Sequence, residues 1–151
     1  MTMLGFSDGQ HHTEGVSYLH LAEWIMQHSH QPDADLVQLW RRIVFSICVS
    51  NTDDHLRNHG FLLTPRGWQL SPAYDINPVE TPTGLSLNIS DTDNALDLAL
   101  EVSPYCRLRE NQARVVIEQV QTADSQWRSV AGTLGISRNE QEQLAPAFQT
   151  G

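Results

Sequence analysis

Across residues 35–50, Leu36, Val37, Trp40, Ile43, Val44, Ile47 and Cys48 recur at the spacing of a helix with a broad apolar face. Phe45 and Val49 widen that face, which predicts a central helix. The apolar run stops abruptly at Asn51-Thr-Asp-Asp-His-Leu-Arg-Asn58, where acid and amide side chains take over. A rigid element that carries polar groups at its end is a good support for a reactive carboxylate.

A hairpin signal follows the polar cluster. Gly60-Phe-Leu-Leu63 and Trp68-Gln-Leu70 flank Thr-Pro-Arg-Gly, which predicts two short strands that bring the chain back towards the loop. Ser71-Pro-Ala-Tyr-Asp75 comes next, so Asp53, Asn58 and Asp75 can converge. A few oxygens of this kind suit a hard cation such as Mg²⁺, whose other positions go to water and phosphate, while a further carboxylate takes a proton. An isolated Asp/Asn cluster is more ordinarily a set of helix and turn caps. The second acid motif, after a hairpin-sized gap, favours chemistry instead. Asp54 lies beside Asp53, faces differently and is given a supporting place.

The spacing Asp-x-x-x-x-Asn is that of the protein-kinase catalytic loop. The words around it are more particular: Asn51-Thr-Asp-Asp-His-Leu-Arg-Asn58, then Gly60-Phe61, then Leu70-Ser-Pro-Ala-Tyr-Asp-Ile-Asn-Pro78. This combination resembles the HipA-like serine/threonine kinases of bacterial toxin–antitoxin modules. The resemblance implies a mainly α fold with small β-hairpins, built as a protein-kinase-like C-terminal lobe. It makes Asp53 the catalytic base and Asn58 and Asp75 the metal ligands, with Mg²⁺ as cofactor and ATP as phosphoryl donor. His55, two positions after the base, falls where ordinary protein kinases carry lysine and this family carries histidine, and it joins Asp53 in the catalytic set. Tyr74 joins Asn58 and Asp75 in the cofactor-binding set by its place beside Asp75, although its ring, like that of Phe61, suits packing better. The implied partners are a protein substrate, an N-lobe polypeptide and a HipB-like DNA-binding antitoxin.

All nine basic residues are arginines, and the sequence contains no lysine. A kinase holds the α- and β-phosphates with a strand lysine under a Gly-rich loop. Gly5, Gly9 and Gly15 do not have the G-x-G-x-x-G spacing. The chain therefore reads as a C-lobe whose N-lobe is supplied elsewhere or lost, very weak or inactive by itself. The competing reading is a non-catalytic remnant or protein-binding module of a toxin–antitoxin system. A net charge of −9 argues against direct nucleic-acid or anionic-membrane binding. No apolar run is long enough to span a bilayer and residues 1–10 lack signal-peptide character, so the expected location is cytoplasmic. Cys48 and Cys106 form no C-x-x-C pair and are read as reduced thiols, Cys48 being buried. The seven histidines do not assemble a tetrahedral zinc set with acids or thiols, and a metal phosphohydrolase would need more of them at ligand spacing.

The rest is expected to form one domain over residues 1–151, long enough for a proper core. Residues 1–15 read as an irregular lead-in. Ser17 caps a helix over 18–28 with Leu19, Ala22, Ile25 and Met26 inward, and Gln31, Pro32 and Asp33 break it. Leu85, Leu87 and Ile89 alternate as a strand, Asp91 to Asn94 turn the chain, and a short helix covers 96–102. One long amphipathic helix over 109–132 follows through Ala113, Val116, Val120, Ala123, Trp127 and Val130. Leu134-Gly-Ile136 closes it, and Ser137 with Glu140 forms a capping box for a last helix to about Phe148.

Overall fold

A computed structural model describes residues 17–51, 53–77 and 96–148. Among them the chain is mainly helical, with one small antiparallel hairpin. The elements are α1 (Tyr18–His28), α2 (Pro32–Cys48), β1 (Phe61–Thr64), β2 (Gly67–Leu70), α3 (Leu96–Val102), α4 (Glu110–Asp124), α5 (Trp127–Thr133) and α6 (Arg138–Leu144). Short 3₁₀ turns cover Leu56–Asn58, Ser103–Cys106 and Ala145–Ala147. The lead-in, the 85–89 strand and the 91–94 turn lie outside the described residues.

The expected central helix is α2, packed between α1 and α4 with Leu36, Leu39, Trp40 and Val44 fully buried. It starts at Pro32, not Asp35. Proline at the first helical position loses no hydrogen bond, because that N–H has no partner inside the helix anyway. The residue read as a breaker is thus the initiator of α2. Asp35 ends in the interior, its carboxylate accepting from Ser29 Oγ at 2.7 Å, Gln31 Nε2 at 3.0 Å and Leu70 N–H at 2.8 Å. One buried acid thereby joins the α1–α2 corner to the end of β2.

Helix α1 has the expected bounds, but its inward stripe is Tyr18, Leu21, Ala22 and Ile25, with Met26 partly exposed. The stripe is rotated because the Tyr18 ring goes inside, where its hydroxyl has a partner. Trp24 meets Phe61 at 3.9 Å and Trp68 at 6.1 Å between ring centroids, which seats the hairpin on α1. Phe61 is the packing residue its type suggests. The hairpin pairs Phe61 with Leu70 and Thr64 with Gly67.

The long helix expected over 109–132 is two helices, with a break at Ser125 and Gln126. The buried stripe Ala113, Val116, Val120 reaches Asp124, and an acid on the inward face gives the helix no apolar reason to continue. Turning there lets α5 pack on α6, with Trp127 stacked on Phe148 at 4.2 Å, while Ala123 and Val130 stay exposed. Helix α5 ends as expected at Leu134-Gly-Ile136. Gly135 adopts φ +80°, and Ile136 N–H reaches Ala131 C=O while Gly135 N–H reaches Gly132 C=O, a Schellman cap. The Ser137/Glu140 capping box is formed, and α6 stops at Leu144.

Candidate functional site

The site begins at the end of α2. Asn51 N–H reaches Ser46 C=O at 2.8 Å and Ser50 N–H reaches Ile47 C=O at 3.2 Å, again a Schellman cap. Its left-handed position is held by Ser50 at φ 51° where glycine is the unstrained choice. Asp75 is also left-handed, at φ 56°. Two of the three non-glycine residues with positive φ among the described residues therefore flank the predicted site, at a cost of about 1 kcal/mol or more each. Such strain persists only where the surroundings over-determine the backbone.

The two sequence motifs meet. Asn58 Nδ2 donates to Asp75 Oδ2 at 2.7 Å and to the Asp75 carbonyl at 3.2 Å, across 17 residues. Asn77 Nδ2 lies 3.0 Å from Asp75 Oδ1, so both carboxylate oxygens are oriented. Asn58 Oδ1 accepts the His55 backbone N–H at 3.1 Å, which closes the 3₁₀ turn on itself. His55 Nε2 sits 2.8 Å from Asp53 Oδ1. Asp53, Asn58 and Asp75 are thus linked in one chain of contacts through His55. The His55 side chain is 11% exposed and that of Asp53 43%, so the histidine is a buried prop and the carboxylate is accessible.

Tyr74 is 46% exposed, and its hydroxyl donates to the Arg57 carbonyl at 2.7 Å, tying the segment before Asp75 to the turn before Asn58. Gly60 allows this approach: a Cβ there would meet Ser71 Oγ at 3.1 Å and Tyr74 Oη at 3.3 Å. The Arg42 guanidinium donates to the Ser71 carbonyl from α2. Burial lowers the Arg42 pKa, while the charges of Asp54, Tyr74 and Asp35 oppose that shift.

Beneath the loop lies a second set of polar groups. Asp54 is buried, with Tyr18 Oη 2.5 Å from Oδ2 and His59 Nε2 3.0 Å from Oδ1. The His59 contact is off the line of a hydrogen bond and is an ion pair only when the histidine is protonated. Sequence reasoning placed Asp54 in support but missed Tyr18 and His59. Tyr18 stands 36 residues from its partner, a distance at which spacing carries no signal.

As a cation site, Asn58 and Asp75 supply one amide and one carboxylate. By type these donors suit Mg²⁺, which keeps waters and phosphate oxygens for its other positions, although Asn58 here presents its N–H to Asp75 and its oxygen to the His55 N–H. Among the described residues no group of three His, Cys, Asp or Glu side chains gathers, so an all-protein cage is not what this site offers. A cavity of about 580 Å³ opens between α2, α4 and the segment from Leu70 to Ile76, lined by Arg41, Arg42, Phe45, Pro72 and Val120 among others. It contains none of Asp53, Asn58 or Asp75. Volume alone marks a place for a ligand, whereas phosphoryl chemistry needs carboxylates, and the loop face carries them.

Comparison with known proteins gives a family. A family model described as HipA-like C-terminal domain matches residues 1–127. A Haemophilus influenzae protein named “Putative kinase” is 34% identical over 68 residues, covering 44% of this chain. The matched segment is 20% of that relative's length. No solved structure matches the chain.

Proposed function

The chain belongs to the HipA-like C-terminal domain family, and from that premise we propose that it is the C-terminal lobe of a protein-kinase-like fold that works in serine/threonine phosphorylation. The observation that carries the reading is the Asn58–Asp75 hydrogen bond, which joins the loop motif to the motif after the hairpin. In this reading Asp53 accepts the proton of the substrate hydroxyl, and His55 holds the carboxylate in the attacking direction. Asn58 and Asp75 would hold Mg²⁺, which when bound neutralises phosphate charge. Tyr74 braces the Asp75 segment from the side.

Phosphoryl transfer is catalysed mainly by positioning and by neutralising charge. No lysine is present in the 151 residues, so the groups that grip the α- and β-phosphates come from another polypeptide or domain. We assign this chain the base and the metal ligands, with very weak transfer when it acts by itself. A bacterial toxin–antitoxin role, with a HipB-like partner, belongs to the same proposal. The absent lysine also favours a second reading, a protein-binding module without chemistry.

Calorimetric titration with ATP, with and without Mg²⁺, separates the two. Saturable Mg²⁺-dependent binding that Asp75→Asn abolishes is the expected result. Heat signals indistinguishable from dilution at millimolar nucleotide would mean that this chain alone is not a working nucleotide site, and a titration repeated with the N-lobe polypeptide added would then decide between the two readings.

A further inference from the structure

The loop carries a second set of polar groups beneath its accessible carboxylate. Asp53 is partly exposed, whereas its neighbour Asp54 and, at the far end of the loop, Asn58 and His59 are all buried. There Asp54 Oδ1 and His59 Nε2 stand 3.0 Å apart, with exposures of 7% and 3%. Asp54 Oδ2 lies 2.5 Å from Tyr18 Oη on α1. Arg42, Ser46, Asp54, Asn58 and His59 line, with Tyr74, one small void of only about 10 Å³, so Asn58 borders the same space as this set.

A carboxylate taken out of water costs several kcal/mol unless charge and hydrogen bonds compensate it. A short hydrophobic side chain would anchor the loop to the core without that cost. What the acid adds is direction: it meets α1 through Tyr18 and the far end of the loop through His59. We propose that Asp54, with Tyr18 and His59, is the positioning brace of the site, fixing the distance between Asp53 and Asn58 from below. The brace rests on the kinase-lobe reading for its consequence, though not for its geometry. Burial and the neighbouring Asp54 charge push the Tyr18 hydroxyl well above its usual range, so it stays protonated and donates. Asp54 is then a positioning residue, acting through the backbone of its two neighbours.

The test uses the full chain carrying Tyr18→Phe, Asp54→Asn or His59→Gln, with Ile43→Val as a control that loosens the core away from the loop. Two readouts are taken: the Mg²⁺–ATP affinity, and the NMR resonances of the Asn58 side-chain amide and the His55 ring without nucleotide. The brace predicts folded Tyr18→Phe and His59→Gln chains whose Asn58 and His55 resonances move and whose Mg²⁺–ATP affinity falls by about tenfold, with the control unchanged in both. Unmoved resonances, or an affinity equal to that of the unsubstituted chain, overturn it. So does loss of the native fold in all three variants, since the network would then hold up the core and not the loop. Should the unsubstituted chain bind no Mg²⁺–ATP, it is not a working nucleotide site by itself and the two resonances alone decide the brace.

Discussion

Asp35→Ala is expected to destabilise the protein by about 3–4 kcal/mol, and the estimate follows from what surrounds the carboxylate. It accepts three hydrogen bonds, from Ser29, Gln31 and the Leu70 backbone, while only 3% exposed. Hydrogen bonds to a charged acceptor contribute about 1.5–3 kcal/mol each, less than additively. The Leu70 N–H, once orphaned in the interior, costs about 1–3 kcal/mol more. Asp35 also sits in the first turn of α2, where a negative charge gains about 0.3–1 kcal/mol from the helix dipole. Alanine returns about 0.5 kcal/mol of helix propensity. In urea, with a slope of about 2 kcal/mol/M, the midpoint should fall by about 1.5–2 M, read by circular dichroism and by tryptophan fluorescence. Asp35→Asn, which keeps one acceptor in place, should lose about half as much. A midpoint within about 0.5 M of the unsubstituted protein for Asp35→Ala would refute the claim that this acid ties β2 to the α1–α2 corner.

Other substitutions probe independent parts of the fold. Burial raises the Asp124 carboxyl above its ordinary 3.8, and its Oδ2 has no hydrogen-bond partner among the described residues. Above that pH the unfolded chain gives up a proton that the folded one retains, so this group lowers stability as pH rises through the interval up to its raised value. Asp124→Asn should therefore stabilise by about 1 kcal/mol at pH 7 and by nothing below about pH 3, and equal melting points at pH 7 would count against it. Burial pushes the Cys48 thiol up to about 11, helped by the Asp124 charge, and the Cys106 thiol up to about 12. At pH 8 only about one Cys48 in a thousand is thiolate, so a thiol reagent should label neither cysteine until the protein is unfolded; fast labelling of the native chain would contradict this. Gly132 and Gly135 both face open space, but only Gly135 has φ +80°. Gly132→Ala should stabilise and Gly135→Ala destabilise by about 1 kcal/mol each, and changes of the same sign would undo the Schellman assignment.

What was legible in the sequence was whatever local spacing encodes. The apolar run of α2, the Ser17 start of α1, the Thr-Pro-Arg-Gly turn and the Ser137 box each depend on residues a few positions apart. Pro32 was misread because its effect depends on where in a helix it falls, and its sequence neighbours do not say. The α4–α5 break escaped because Val120, Trp127 and Val130 keep an almost continuous helical spacing; Asp124 on the inward face was the available clue. In the candidate site Asp53, Asn58 and Asp75 were found as a pattern, and two of them touch. His55 was singled out by its position, but its contact with Asp53 appears only in three dimensions. Tyr18, Asp35 and His59 were missed, since a buried polar side chain shows its purpose only through its partners, and Asp54 for Tyr18 and Leu70, one of three, for Asp35 lie over 30 residues away.

The central claim is that Asn58 and Asp75 form one metal-nucleotide site, and Mn²⁺ used in place of Mg²⁺ reports on it through distance alone. With ATP and sub-stoichiometric Mn²⁺, the NMR signals of the Asn58 side-chain amide and the Asp75 backbone amide should broaden first, and excess Mg²⁺ should restore them. Broadening that instead spreads over exposed acids such as Glu110 and Glu142, leaving Asn58 sharp, would contradict the account.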